Sequence, residues 1–276
     1  MIKLTTLVEN NTHPSSSLKY EHGFSMLVEK GDKKILFDTG KSDLFIENSE
    51  KLNINLNSID HLVISHGHYD HSGGVKSLLE KYRYDNLKMW TGRGFEDKKY
   101  SDEKPLRYLG IDFDHEFVSK HNVIWHSVCA KTVMIEKGVW LVSKFDSHYD
   151  FEEVNPRFVV KRYDGTVEID DFSDEVALVA DSPKGLVVIV GCSHPGILSI
   201  IKTIENLFSK PIYALIGGIH LYDASDEKRE KVLKELVKKK ITLLGACHCT
   251  GSEALGYLKE KCKGFYTNIT GTVTEI

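Results

Sequence analysis

The chain has 276 residues, of which 41% are hydrophobic and 28% charged, and its formal net charge is −4. This is an ordinary globular composition, and the chain is long enough to bury a sizeable core. The weakly acidic charge argues against a nucleic-acid partner, which usually requires a basic face. No stretch of the sequence approaches the roughly 18 continuous apolar residues of a membrane-spanning helix.

The amino terminus and the cysteine content indicate a cytoplasmic protein. Residues 1–10 alternate like a strand and lack the apolar segment and cleavage site of a signal peptide. Five cysteines, an odd number in a long chain, fit reduced thiols better than a disulfide framework.

Short strands and amphipathic helices alternate along the chain. Apolar periodicity and turn residues predict strands over 3–9, 23–29, 34–37, 60–65, 86–91, 131–135, 139–142, 175–180, 185–190, 212–216, 241–244 and 264–268. The same signals predict helices over 42–51, 74–83, 197–208, 226–240 and 252–262. This order favours two sheets packed face to face with helices outside.

Two longer segments carry weak periodicity and are candidate lids. Residues 92–121 are charged and aromatic, and residues 145–172 are polar and aromatic. Loops of this length in a compact domain are more often functional than idle. No linker divides the chain, so we expect a single domain over residues 1–276.

A cluster of metal-binding side chains follows the apolar run 62–64. Three histidines and one aspartate lie within six residues, at His66, His68, Asp70 and His71. Imidazole and carboxylate groups bind zinc, iron and manganese.

Other polar residues also follow apolar strands directly, at Asp38, His194, His220 and His248. Strand ends collect at one edge of a sheet, where loops build sites. The sequence therefore predicts a metal site assembled from several strand ends.

These motifs closely resemble the metallo-β-lactamase superfamily. The cluster matches its His-x-His-x-Asp-His signature, residues 37–40 its upstream aspartate motif, residues 191–194 its third histidine motif, and His248 its last histidine. The resemblance implies an α/β (α+β) fold, the four-layer αββα sandwich of the metallo-β-lactamase type. Within the superfamily, these motifs are similar to the dihydropterin-aminobenzene-phosphate synthase group. That group joins a dihydropterin diphosphate to a ribofuranosylaminobenzene phosphate and releases diphosphate.

The resemblance implies one or two divalent metal ions, with zinc favoured and iron or manganese as alternatives. One ion would be held by His66, His68 and His194, and the second by Asp70, His71 and His248. Such a site activates water and acts as a Lewis acid. Asp38 would orient an imidazole through its far nitrogen, with capping of the following turn as the alternative role. His22 is expected to line the pocket.

The chain departs from the family at the bridging ligand. Most members carry an aspartate or a cysteine at a strand end where this chain has residues 216–220, and the nearest carboxylate here is Asp223. The second metal would then bind more weakly, and Asp70 would be free to act as a general base. His220 is expected near the metal, as a ligand, a donor to a substrate phosphate or an orienting group.

Two cysteines, Cys247 and Cys249, flank the last histidine. The favoured interpretation is two small residues alternating at a strand end, and the alternative is a pair of additional thiolate ligands.

The expected function is that of a metal-dependent hydrolase or transferase acting on a small phosphorylated molecule. One alternative is a hydrolase of thioesters, lactones or phosphodiesters, and another is a metal- or ligand-binding regulator with little catalysis. We expect a small-molecule substrate, no nucleic acid and no membrane as partners. The sequence leaves open whether the chain forms a homo-oligomer.

Overall fold

The structure, a computed structural model, describes residues 1–162 and 164–276. Within these residues the strands are β1 (Ile2–Val8), β2 (Ser25–Lys30), β3 (Lys33–Phe37), β4 (His61–Val63), β5 (Lys88–Gly92), β6 (Lys98–Ser101), β7 (Arg107–Tyr108), β8 (Ile124–Val128), β9 (Thr132–Glu136), β10 (Val139–Val142), β11 (Phe158–Lys161), β12 (Val167–Ile169), β13 (Ala177–Ser182), β14 (Gly185–Val190), β15 (Ile212–Gly218), β16 (Leu243–Cys247) and β17 (Val273–Glu275). The α-helices are α1 (Leu44–Lys51), α2 (Tyr69–Ser72), α3 (Val75–Lys81), α4 (His115–Lys120), α5 (Ile197–Phe208), α6 (Asp226–Lys238) and α7 (Ser252–Lys261). None of these helices is both long and apolar enough to cross a membrane.

The chain divides into two compact units. Unit 1 comprises residues 1–129, 156–174 and 269–276. Its larger sheet has the strand order β17-β1-β2-β3-β4-β5-β8, and β3, β4, β5 and β8 run parallel to one another. The apolar faces of α1 and α3 pack on this sheet, for example through Phe45 and Leu78. A smaller sheet has the order β12-β11-β6-β7.

Unit 2 comprises residues 130–155 and 175–268. Its sheet has the order β16-β15-β14-β13-β10-β9, in which β14, β15 and β16 are parallel. Every residue of β14 is buried, as expected for a parallel strand covered on both faces. The helices α5, α6 and α7 contribute apolar residues such as Ile200, Leu233 and Leu258 to its core.

The structure differs from the predicted elements in several places. Residues 264–268 are not a strand, because they make only an isolated bridge from Phe265 to Leu244. The last strand is instead β17, which pairs with β1. Strand β8 was not predicted, and segment 145–172 contains β11 and β12 rather than loop alone. These strands are short, and their pairing partners lie far away in sequence, so local alternation carries little signal for them.

The proposed lids and the single-domain organisation stay predictions. Each compact unit is assembled from interleaved stretches of chain. Position 163, inside the candidate lid 145–172, lies outside the described residues.

Candidate metal centre

The histidine cluster lies just beyond β4, in unit 1. Parallel pairing with β3 and β5 sets the position of this strand end in the sheet. His66 and His68 follow β4, and α2 carries Asp70 and His71. All four side chains are buried.

The donor atoms of the cluster face one another. Nε2 of His66 lies 3.1 Å from Nδ1 of His68. The ring centroids of His66 and His71 are 4.3 Å apart, and Nε2 of His71 lies 3.9 Å from a carboxylate oxygen of Asp70. Three imidazoles and one carboxylate, converging in a buried place, are a donor set that fits zinc, iron or manganese.

Asp38 supports the cluster through Ser65 and His71. One carboxylate oxygen accepts the backbone N–H of Ser65 at 2.7 Å, and the other accepts the Ser65 hydroxyl at 2.8 Å. The second oxygen also lies 2.6 Å from Nδ1 of His71. Because Nδ1 of His71 is engaged by Asp38, its Nε2 faces Asp70. The Ser65 hydroxyl lies 3.0 Å from Nδ1 of His66, so the same network orients a second imidazole.

Burial shifts the proton equilibria of these side chains. Burial lowers the pKa of His66 well below its ordinary value, and the charges of His71 and His68 lower it further. Burial also raises the pKa of Asp38, although its interaction with His71 opposes that effect. A neutral imidazole at His66 has a lone pair available for a metal ion.

His22 contacts the cluster from its solvent side. Its Nε2 lies 3.1 Å from Oδ2 of Asp70, and 52% of its side chain is exposed. The structure therefore brings His22 and Asp70 together.

A buried lysine and two carboxylates support the turn inside the cluster. Nζ of Lys99 lies 2.6 Å from Asp170 and 3.0 Å from Asp174, and Asp174 also accepts the backbone N–H of Gly67 at 2.7 Å. Burial alone would lower the pKa of Lys99, but the two carboxylates outweigh it and raise that pKa. Burial raises the pKa of Asp174 to about 6. A β-carbon at Gly67 would lie 2.6 Å from the carbonyl oxygen of Phe95, so this close approach requires glycine.

No sequence motif points to this support, or to the aromatic rings beside it. Lys99 and Ser101 are the buried residues of β6. Their period-two spacing along the strand is the one sequence signal that places both side chains on the same face. Phe158 and Phe172 lie 5.2 and 5.4 Å from the ring of His68, between centroids. The two residues of β6 and the two phenylalanines belong to the candidate lids, residues 92–121 and 145–172.

Unit 2 presents His194 and His248 at the ends of parallel strands. His194 follows β14 and His248 follows β16, and both side chains are buried. The carboxylate of Glu175 accepts the backbone N–H groups of Ser193 and His194 at 3.1 and 3.4 Å. Ser193 and His248 have left-handed backbones, with φ of 61° and 52°. Such strained non-glycine residues concentrate at functional sites.

His220 follows β15, the strand that lies between β14 and β16. Its ring centroid is 4.2 Å from that of His194, and its Nε2 lies 3.6 Å from Oδ1 of Asp223, beyond hydrogen-bond distance. Its backbone is also left-handed, with φ of 42°. The structure therefore brings His194 and His220 together within unit 2.

Comparison with known sequences places the chain in a family. Residues 19–175, more than half of the chain, match the model of the metallo-beta-lactamase superfamily. A 7,8-dihydropterin-6-methyl-4-(beta-D-ribofuranosyl)-aminobenzene-5′-phosphate synthase of Methanocaldococcus jannaschii is 29% identical, over 95% of this chain and 92% of that protein. An uncharacterised protein of the same organism is 29% identical over 94% of each chain.

Solved structures agree with the sequence relatives. The crystal structure of a metal-dependent hydrolase of the beta-lactamase superfamily superimposes with a TM-score of 0.87 at 33% identity, covering 100% of this chain and 99% of that one. Zinc-bound PqqB from Methylobacterium extorquens shares the fold alone, with a TM-score of 0.62 at 12% identity over 99% of this chain and 100% of that one. The predicted α/β fold of the metallo-β-lactamase type is confirmed. The chain belongs to the metallo-β-lactamase superfamily.

Proposed function

We propose that this protein is a cytoplasmic metal-dependent hydrolase or transferase that acts on a small phosphorylated molecule. The observation that carries the proposal is the buried cluster of His66, His68, Asp70 and His71, with Asp38 fixing Nδ1 of His71. The synthase relative, named for a 5′-phosphate compound, supports the phosphorylated substrate. The structural relative described as a metal-dependent hydrolase supports the chemistry.

The proposed ligands follow the family pattern. One divalent ion would be held by His66, His68 and His194, and a second by Asp70, His71 and His248, with zinc favoured over iron or manganese. When bound, such ions supply Lewis acidity and lower the pKa of a bound water to about 7.

Asp70 and His220 are the proposed catalytic residues. Where the second ion is absent, the carboxylate of Asp70 is free to accept a proton, and its contact with the half-exposed His22 gives that proton a path towards solvent. His220 stands at the strand end where most family members carry the bridging ligand, and we propose that it acts at the same centre.

The most specific version of this function is the coupling of a dihydropterin diphosphate to a ribofuranosylaminobenzene phosphate. Metal-loaded protein is incubated with both compounds, and diphosphate release is measured. We expect His66→Ala to reduce the rate by at least about 100-fold, because it removes a metal donor. His13→Ala, at an exposed histidine outside the candidate lids, should leave the rate unchanged. Absence of diphosphate release by the unmodified protein would exclude this version.

Hydrolysis of a thioester, lactone or phosphodiester is the second candidate. It is favoured by the hydrolase description of the structural relative. Chromogenic esters and bis(p-nitrophenyl) phosphate test it, and turnover that survives His66→Ala would rule out a metal mechanism. A metal content well below one ion per chain, with tight binding of a small molecule that is not consumed, would instead indicate a regulator.

A further inference from the structure

We propose that Cys192, His220 and Cys249 form a thiolate-containing binding site for a thiophilic metal ion. One ligand atom from each residue lies within 4.8 Å of the other two. All three residues belong to unit 2. The site therefore uses none of the six ligands proposed for the catalytic ions, and it shares only His220 with the proposed function.

Three adjacent parallel strands bring these side chains together. β14 pairs in parallel with β15, and β15 pairs in parallel with β16. Cys192, His220 and Cys249 each lie two residues beyond the end of one of these strands. Because the carboxyl ends of neighbouring parallel strands meet at the same edge, the three donors converge despite their separation in sequence.

Hydrogen bonds fix Cys192 against the end of β15. The backbone N–H of Gly218 donates to the carbonyl oxygen of Gly191 at 2.9 Å. On the other side of Cys192, the hydroxyl of Ser193 donates to the carbonyl oxygen of Gly218 at 2.8 Å. The position of Cys192 is therefore set from both neighbouring residues.

Cys249 is fixed in the same way against the residues that follow His220. Its carbonyl oxygen accepts the backbone N–H groups of Leu221 and Tyr222 at 3.1 and 3.2 Å. A β-carbon at Gly218 would lie 2.4 Å from Sγ of Cys249, so the glycine opens the space that the sulfur occupies. The thiol of Cys249 therefore lies beside the strand end that carries His220.

The chemistry and spacing of the group fit a metal ion. Cys192 and Cys249 are each 3% exposed, and the side chain of His220 is 12% exposed. Two sulfurs and an imidazole nitrogen are ligands of zinc and of soft metals. Ligands at about 2.3 Å for sulfur and about 2.0 Å for nitrogen lie roughly 3.5–3.8 Å apart around a tetrahedral ion. The ligand atoms lie within 4.8 Å of one another, so a contraction of at most about 1.3 Å brings them to these separations.

A thiolate here supplies negative charge next to His220. Cys192 and Cys249 lie at the ends of the strands that flank β15, and a thiolate at either position would balance part of the charge of a bound cation. The sequence favours small residues over thiolate ligands at Cys247 and Cys249, whereas this inference makes Cys249 a ligand and leaves Cys247 outside the group.

Cadmium and cobalt test the site, because thiolates bound to either ion give charge-transfer absorption in the ultraviolet. The titrations use a Cys129→Ser background, which removes the exposed cysteine. We expect an absorption that saturates at one ion per site, is lost in Cys192→Ser and in Cys249→Ser, and is weakened in His220→Ala. Metal affinity should fall at least about 10-fold in each variant. Cys247→Ser is the matched control, since Cys247 is also buried but lies outside the group.

Two further measurements distinguish loss of this metal site from loss of the proposed catalytic function and from misfolding. His66→Ala should keep the thiolate absorption even though its activity is lost. In the unmodified protein, cadmium should protect Cys192 and Cys249, but not Cys129, from alkylation mapped by mass spectrometry. Metal binding without thiolate absorption, or absorption that survives both serine variants, would overturn the inference and leave the proposed catalytic centre standing.

Discussion

Asp38 has the contacts of an orienting residue rather than of a simple cap. Its backbone is left-handed, with φ of 59°, a conformation that costs a non-glycine residue about 1–3 kcal/mol. The contacts of its carboxylate with Ser65 and His71 offset that cost. Both oxygens are used, and each acts as an acceptor for a group next to the metal-binding cluster.

We predict that Asp38→Asn weakens metal binding by about 10- to 100-fold. An amide has one acceptor oxygen, so it cannot serve Ser65 and His71 as the carboxylate does, and His71 loses its fixed orientation. Competition with a chromogenic chelator measures the affinity. Asp32→Asn, at an exposed turn, is the control. Equal affinities for the Asp38→Asn variant and the unmodified protein would show that Asp38 does not orient the ligands.

At the scale of elements, the turn from β4 into α2 depends on partners from distant strands. Lys99 from β6 lies between Asp170 and Asp174, and Asp174 accepts the backbone N–H of Gly67. The turn that carries the cluster is therefore supported by a charge network that is itself almost fully buried.

We predict that Lys99→Met lowers the free energy of unfolding by about 3–5 kcal/mol, because it leaves two buried carboxylates without their cation. Urea denaturation measures the loss. Lys98→Met, at the exposed neighbour on the same strand, should stay within about 0.5 kcal/mol of the unmodified protein. A loss below about 1 kcal/mol for Lys99→Met would mean that the carboxylates are satisfied without the lysine.

At the scale of the whole molecule, the proposed metal ligands are spread from His66 to His248 in sequence. An unfolded chain cannot hold them together, so a metal ion that needs all of them binds the folded chain only. Binding of this kind raises the free energy of unfolding in proportion to the logarithm of metal concentration.

We therefore predict that metal at about 100 times its dissociation constant stabilises the protein by about 2.7 kcal/mol, and that a chelator removes this gain. Thermal denaturation with and without a chelator measures it. His66→Ala should lose most of the metal-dependent shift, whereas His13→Ala, at an exposed histidine, should keep it. A melting temperature unaffected by metal removal would argue against a centre formed only in the folded state.

Several features could be predicted from the sequence because they depend on local spacing. Helix α5 was predicted with the bounds that the structure shows, since its apolar residues repeat with helical period and turn residues bracket it. The fold and the superfamily followed from motifs that each span only a few residues. The pairing of β17 with β1 was not predictable, because three residues near the end of the chain carry no signal for a partner more than 260 residues away.

By itself, the sequence determined the donor chemistry of the cluster at residues 66–71, the order of most elements and the family. Local periodicity and short motifs hold that information. Only the tertiary structure decided that Lys99 joins Asp170 and Asp174, and that Cys192 and Cys249 meet at His220. Those contacts depend on which strands lie side by side. Strand pairing is set by packing across the whole sheet rather than by the residues next to each side chain.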